Sequence, residues 1–135
     1  MALFEWVDDY TVNIDEIDAQ HKRLVAMIDD LYEAIKAGIS SSAIDKILSE
    51  MVDYSKTHFA TEENYMTKYD FPGYAAHKKE HDSFAAKACD LQQQTSTKTI
   101  AITMETANYL MNWLRDHVLG TDKLYAPFLN SKGVH

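Results

Sequence analysis

The amino-acid sequence predicts an all-α fold, an antiparallel up-down four-helix bundle with a non-helical N-terminal arm. Three observations carry that expectation. Apolar residues and histidines recur at spacings of three and four, with almost no strand-like alternation. Four stretches have this period, each roughly 20 residues and therefore about 30 Å long as a helix. The breaks between them are short, which favours antiparallel neighbours around one core. A chain of 135 residues with 46% hydrophobic content suffices for one core and is too short to divide comfortably in two, so residues 1–135 read as a single domain.

Taken in order, residues 1–16, with Trp6 and Tyr10, read as an arm lying across the bundle. The first helix is expected at about 17–37, where His21, Leu24, Ile28, Leu31 and Ile35 form one stripe and Gly38 supplies the stop. Ser40, Ser41 and Ser42 make a good N-cap cluster for the second, at about 42–68, which carries Ile44, Leu48, Met51, Ser55, His58 and Glu62. "YDFPGY" breaks the chain. The third, at about 73–93, carries Tyr74, His77, His81, Phe84, Ala88 and Leu91, and fades in "QQQTSTK". The fourth, at about 99–119, carries Ala107, Leu110, Leu114 and His117 and is expected to end near Gly120. No internal repeat or low-complexity segment interrupts this plan.

Composition narrows the function classes. No run of 18 or more apolar residues occurs, and "MALFEWVDDY" has neither a basic nor an apolar leader region, so a cytoplasmic protein without membrane insertion is expected. A formal net charge of −8 argues against nucleic acid, whose phosphates need Lys and Arg gathered on one face. Cys89 is the only cysteine, which rules out an internal disulfide, and no role is assigned to it.

The histidines carry the chemistry. Of six, His21, His58, His77, His81 and His117 fall on the inward stripes, at least one per helix, and only His135 does not. In "HKKEH", His77 and His81 are four apart, so both imidazoles point the same way from one helix face. Any one of the five alone reads more readily as a hydrogen-bonded core histidine than as a ligand. Five in one small core would each bring polar nitrogens that need partners, and a metal centre removes that cost. In "HFATE", Glu62 lies one turn beyond His58 on the buried face, while its neighbour Glu63 is expected to face solvent. In "HVLGTD", His117 and Asp122 are five apart, which on a regular helix rotates the aspartate about 140° away. A wide π-type turn or a helix end at Gly120 would swing Asp122 back beneath His117.

A histidine in the first helix, HxxxE in the second, HxxxH in the third and HxxxxD in the fourth together resemble the hemerythrin family, in its single-domain bacterial form. The likeness covers the whole chain, including the arm with its tryptophan and the "DKLYAPFL" tail, and the seven motif positions all match. It implies two iron ions per chain joined by an oxo or hydroxo bridge, one held by His77, His81 and His117, the other by His21 and His58, with Glu62 and Asp122 bridging both. It also puts Leu114 against an oxygen pocket. Trp113, a turn above His117, and Tyr125, three residues beyond Asp122, are further candidates around the site.

The ligand count then bears on function. If each iron takes both carboxylates and one bridging oxygen, three histidines complete six ligands on one iron and two leave five on the other. The expectation is reversible dioxygen binding, for carriage, storage or delivery, with dioxygen held as peroxide on the five-coordinate iron. Five neutral imidazoles give little anionic push toward the high-valent iron of carboxylate-rich oxygenases, so no catalytic residue and no enzyme activity is expected. The partners expected are dioxygen itself and an oxygen-consuming enzyme as its recipient, with the protein a monomer. The alternatives are a di-iron peroxidase, a nitric-oxide or oxygen sensor and an iron-storing protein.

Overall fold

The computed structural model describes residues 10–38, 40–96 and 104–135. Trp6 and the expected start of the fourth helix at about 99 lie outside the described residues. The helices are α1 (Asp15–Lys36), α2 (Ser41–Lys68), α3 (Tyr74–Ser96), α4 (Met104–Asp116) and α5 (Asp122–Ser131), and a π-helical turn over His117–Thr121 joins the last two. They form an up-down four-helix bundle with no strand among the described residues: α1 packs beside α2 and α4, and α3 beside α2. No helix among the described residues is long and apolar enough to cross a membrane.

Local chemistry sets the boundaries. The Asp18 carboxylate accepts from the Val12 backbone N–H at 2.9 Å and from the Thr11 hydroxyl, which ties the incoming chain to the first helical turn. Asp15, Glu16 and Asp18 suit the positive end of the helix dipole, and α1 opens two residues earlier than expected. At α2 the Ser40 hydroxyl accepts from the Ala43 N–H at 3.3 Å, the N-cap bond that the serine cluster promised. α3 continues to Ser96, three residues past the expected fading point.

The expected stripes form the core. All their residues are buried except Ile35 and Tyr74, which are partly covered. A large apolar cluster joins Leu24, Ile28, Leu48, Phe59, Phe84, Leu110 and Leu114 among others. A second, smaller cluster joins Val12, Ile14 and Ile17 to Met66, Tyr125 and Leu129. The described end of the arm is therefore part of a core: Val12 and Ile14 are buried, Lys123 donates to the Thr11 carbonyl, and the Asn130 amide donates to the Asn13 carbonyl at 3.2 Å.

The fourth helix departs from expectation at its C-terminal end. It does not stop near Gly120 but passes through the wide turn and continues as α5 to Ser131, burying Tyr125, Ala126 and Leu129. The turn is closed by the Asp122 N–H donating to the His117 carbonyl, a bond one residue wider than in an α-helix. Glycine is not what permits it. Gly120 is outside the left-handed region and an added Cβ would meet nothing within 4 Å.

Gly120→Ala should therefore keep the turn and stabilise the protein by about 0.4–1 kcal/mol, because alanine restricts the unfolded chain without straining the native one. Chemical unfolding of the two proteins checks this, and a lower midpoint for the variant would show that the turn does need glycine.

Candidate metal centre

Four directions of approach converge on one buried spot. α1 contributes His21, α2 His58 and Glu62, α3 His77 and His81, the π-helical turn His117, and α5 Asp122. All seven side chains are buried, with His21, Glu62 and Asp122 fully so. The wide turn is what admits the aspartate. With His117 facing inward, the extra residue rotates Asp122 onto the same side, and its two oxygens reach the rings opposite.

The two carboxylates divide the histidines into two sets. One Glu62 oxygen, Oε1, lies 3.3 Å from His21 Nε2 and against His58 Nε2, while Oε2 lies 3.1 Å from His77 Nε2 and 3.8 Å from His81 Nε2. Asp122 repeats the pattern, with Oδ2 at 3.0 Å from His21 Nε2 and Oδ1 at 3.0 Å from the Nε2 atoms of both His77 and His117. Donor atoms bound at about 2.1 Å to a shared octahedral ion stand about 3 Å apart. Both oxygens of Asp122 and Nε2 of His58 are buried without an aligned hydrogen bond among the described residues, despite these short approaches. Donors that crowd together without bonding to one another suit a cation between them. Glu62, His77, His81, His117 and Asp122 form one group able to hold a metal ion, and His21, His58 and Glu62 another.

The outer nitrogens explain why the inner ones point in. His81 Nδ1 lies 2.9 Å from Glu63 Oε2, and His117 Nδ1 lies 3.0 Å from Glu80 Oε1. A carboxylate only accepts, so in each ring the outer nitrogen carries the proton and the inner nitrogen presents a lone pair. His58 Nδ1 similarly donates to the Gln20 amide oxygen at 2.7 Å. The inner nitrogens of His81 and His117 are then 3.1 Å apart. Without a cation, one of these rings must take an extra proton to bridge that gap.

Electrostatics agree. Burial lowers the pKa of His21, but Asp122 and Glu62 outweigh it and push the ring from 6.5 up to about 10. The same contest pushes His77 up to about 9 and raises His117. His81 moves down to about 3, because burial is joined by the positive charges of His117 and His77. Burial favours protonated carboxyls, yet the surrounding rings, His58 foremost at Glu62 and His117 at Asp122, hold both well below the ordinary carboxylate range. Tyr125 sits against His77, ring centroids 5.3 Å apart, and burial with the Asp122 and Glu62 charges pushes its hydroxyl well above 10.

Aromatic rings fix the ligands from behind. Phe59 stacks on His81 at 4.0 Å and Trp113 on His117 at 4.6 Å, and Phe59, Phe84 and Trp113 contact one another. Trp113 thus backs a ring of the three-histidine set. Leu114 is buried in the large apolar cluster with Leu24 and Phe59.

The sequence reading placed all seven candidate ligands on this spot but missed their supports. Glu63 was expected to face solvent, and instead it is partly buried between His81 and Lys78, whose amine is 3.6 Å away. Gln20, Phe59 and Glu80 were overlooked. Glu80 stands inside HKKEH and Gln20 directly precedes His21, and adjacency to a ligand was the only signal available.

The profile of the family described as the hemerythrin HHE cation binding domain matches residues 12–129. A bacteriohemerythrin of Stenotrophomonas maltophilia (strain R551-3) is 35% identical over 126 residues, which is 93% of this chain and 81% of that protein. A bacteriohemerythrin of Methylococcus capsulatus (strain ATCC 33009 / NCIMB 11132 / Bath) is 33% identical over 132 residues, 97% of this chain and 100% of that one. A wild-type hemerythrin crystal structure is 33% identical and superposes with a TM-score of 0.91, covering 95% of this chain and 98% of its own. A hemerythrin variant with one leucine replaced by tyrosine has a TM-score of 0.92 and covers 96% and 98%.

Metal uptake should release protons, since ligation needs neutral rings and the metal-free site holds His21 and His77 protonated at neutral pH. A ring raised from 6.5 stabilises the metal-free fold fully below pH 6.5 and loses that contribution as pH climbs through about 9 to 10. The thermal midpoint of metal-free protein should thus fall across this window while metal affinity rises. Calorimetric titration in two buffers of different ionisation heat counts the protons, and uptake without release would contradict the assignment.

Proposed function

The chain belongs to the hemerythrin family, and from that premise we propose that it binds dioxygen reversibly, for carriage, storage or delivery, at a non-heme di-iron centre with an oxo or hydroxo bridge. The observation that carries this reading is the division of each buried carboxylate: one oxygen faces His21 and the other faces His77, at Glu62 and Asp122 alike. Two carboxylates split in this way fit two ions, one held by His77, His81 and His117 and the other by His21 and His58. The first set then offers five protein donors and the second four. An ion held by His21 and His58 would be the one with room for a ligand from outside.

A ferrous pair would supply the two electrons that dioxygen takes up on binding and would recover them on its release. The protein's part is to keep that exchange reversible. Five of the seven ligands are neutral when bound, which limits the anionic charge that would favour more oxidised iron and turn a carrier into an oxidising catalyst. The Tyr125 hydroxyl stays protonated beside the two carboxylates. Leu114 and the apolar cluster around it restrict the approach of water and anions. The recipient proposed for the oxygen is an oxygen-consuming enzyme, and the compartment the cytoplasm.

The test is a visible absorption spectrum of anaerobically reduced protein, recorded before air, after air and again under argon, on protein analysed for about two irons per chain. Recovery of the reduced spectrum supports binding. Steady consumption of dioxygen, peroxide or nitric oxide without recovery would assign an enzyme instead.

Leu114→Ala should speed autoxidation of the oxygenated protein while leaving oxygen binding itself intact, because it opens the apolar wall and touches no ligand. Leu110→Ala, equally buried and a turn farther from the ligands, should cost about 2–5 kcal/mol of stability through a cavity with less effect on autoxidation. Stopped-flow oxygenation followed by decay in air compares them, and equal decay rates would make Leu114 ordinary core.

A further inference from the structure

The two histidine sets differ in what stands behind them. In the three-histidine set, two rings donate their outer N–H to carboxylates: His81 to Glu63 at 2.9 Å and His117 to Glu80 at 3.0 Å. In the two-histidine set, His58 donates to a neutral amide oxygen, that of Gln20, at 2.7 Å. These supports are themselves held. The Thr121 hydroxyl lies 2.8 and 2.9 Å from the two Glu80 oxygens, so the same wide turn that brings in Asp122 also steers Glu80 onto His117. Lys78 approaches Glu63, and the Gln20 amide N–H donates to Thr61 at 3.1 Å, which turns its oxygen toward His58.

We infer that Glu63, Glu80 and Gln20 are positioning residues that make the two metal subsites unequal, so that the three-histidine subsite fills first and the ion beside the open position is the one that exchanges. The inference rests on the two-ion reading above. A carboxylate accepting the outer N–H of an imidazole shifts electron density toward the inner nitrogen and fixes its direction, which strengthens that nitrogen as a donor. An amide fixes the direction with less gain in donor strength. Two carboxylate-backed rings therefore add to an advantage that the three-histidine subsite already has in its larger donor count. The second subsite has fewer donors and, behind His58, a neutral support, so its ion binds more weakly and is lost first. Loss of metal then begins at the position that would take dioxygen.

The experiment is stepwise titration of metal-free full-length protein with cobalt(II), read by visible absorption and by calorimetry, with no oxygenation involved. The unmodified protein should take two cobalt ions in two separable steps. Glu63→Gln and Glu80→Gln should each weaken the first step by about 10–100-fold, the usual effect of removing such a partner, and leave the second nearly unchanged. Gln20→Glu should act in the opposite sense, tightening the second step and bringing the two together. A gain of affinity in Gln20→Glu cannot come from general damage to the fold. Two cobalt ions bound with constants that all three substitutions leave alone, or that they shift equally in both steps, would overturn the inference while keeping the two-ion reading. A single cobalt ion per unmodified chain would overturn the two-ion reading itself.

Discussion

Two carboxylates buried out of reach of water, Glu62 and Asp122, are the constraint to which the rest of the molecule answers. An isolated carboxylate in a protein interior would neutralise itself by taking a proton. These two do the opposite, because imidazoles crowd around each of them and hold their pKa values low. Positive charge is thus built into the centre of the bundle, as protons when metal is absent and as metal when it is present. The helix phases follow, since each of the four directions of approach must turn a nitrogen or oxygen toward the same few ångströms.

That constraint also accounts for the one irregular stretch among the described helices. A regular helix cannot aim both His117 and Asp122 inward, and ending it would expose Tyr125, Ala126 and Leu129, which are buried in the smaller apolar cluster with the end of the arm. Widening a single turn satisfies both demands. The cost is a poorer local hydrogen-bond ladder, and the return is threefold: Asp122 enters the site, Thr121 reaches Glu80, and α5 stays packed against the arm through Lys123 and Asn130. Gly120 sits in this turn without being required by it. The driving force is burial and charge on either side of the turn and not local backbone freedom.

Much of this was legible in the sequence, for a physical reason. Helical period and burial are both one-dimensional signals, so the stripes on which His21, His58, Glu62, His77, His81 and His117 lie could be traced without any tertiary information. Even the distortion before Asp122 was visible, as a mismatch between a spacing of five and a period of 3.6. What stayed hidden depended on which helix stands opposite. Glu63 is turned about 100° from Glu62, which the period alone reads as solvent-facing, yet on that flank the neighbour is α3 with His81. Gln20 and Glu80 are the same case, polar residues whose roles come from a ring on another helix. The length of α5 was missed because an expected stop at Gly120 took precedence over the apolar spacing of Tyr125, Ala126 and Leu129.

In the proposed reading, the arrangement of neutral and charged groups bears on which of two chemistries such a bundle supports. At the centre, two carboxylates serve two candidate metal positions, and the remaining five donors are imidazoles. The other acids, Glu63 and Glu80, lie one bond farther out, where they act on a ring and not on an ion. Moving anionic charge from the inner ring of donors to the outer one keeps the structural benefit of a carboxylate, a fixed tautomer and a fixed direction, while reducing its pull toward higher oxidation states. In the proposed reading this is what lets an iron pair give up two electrons and take them back.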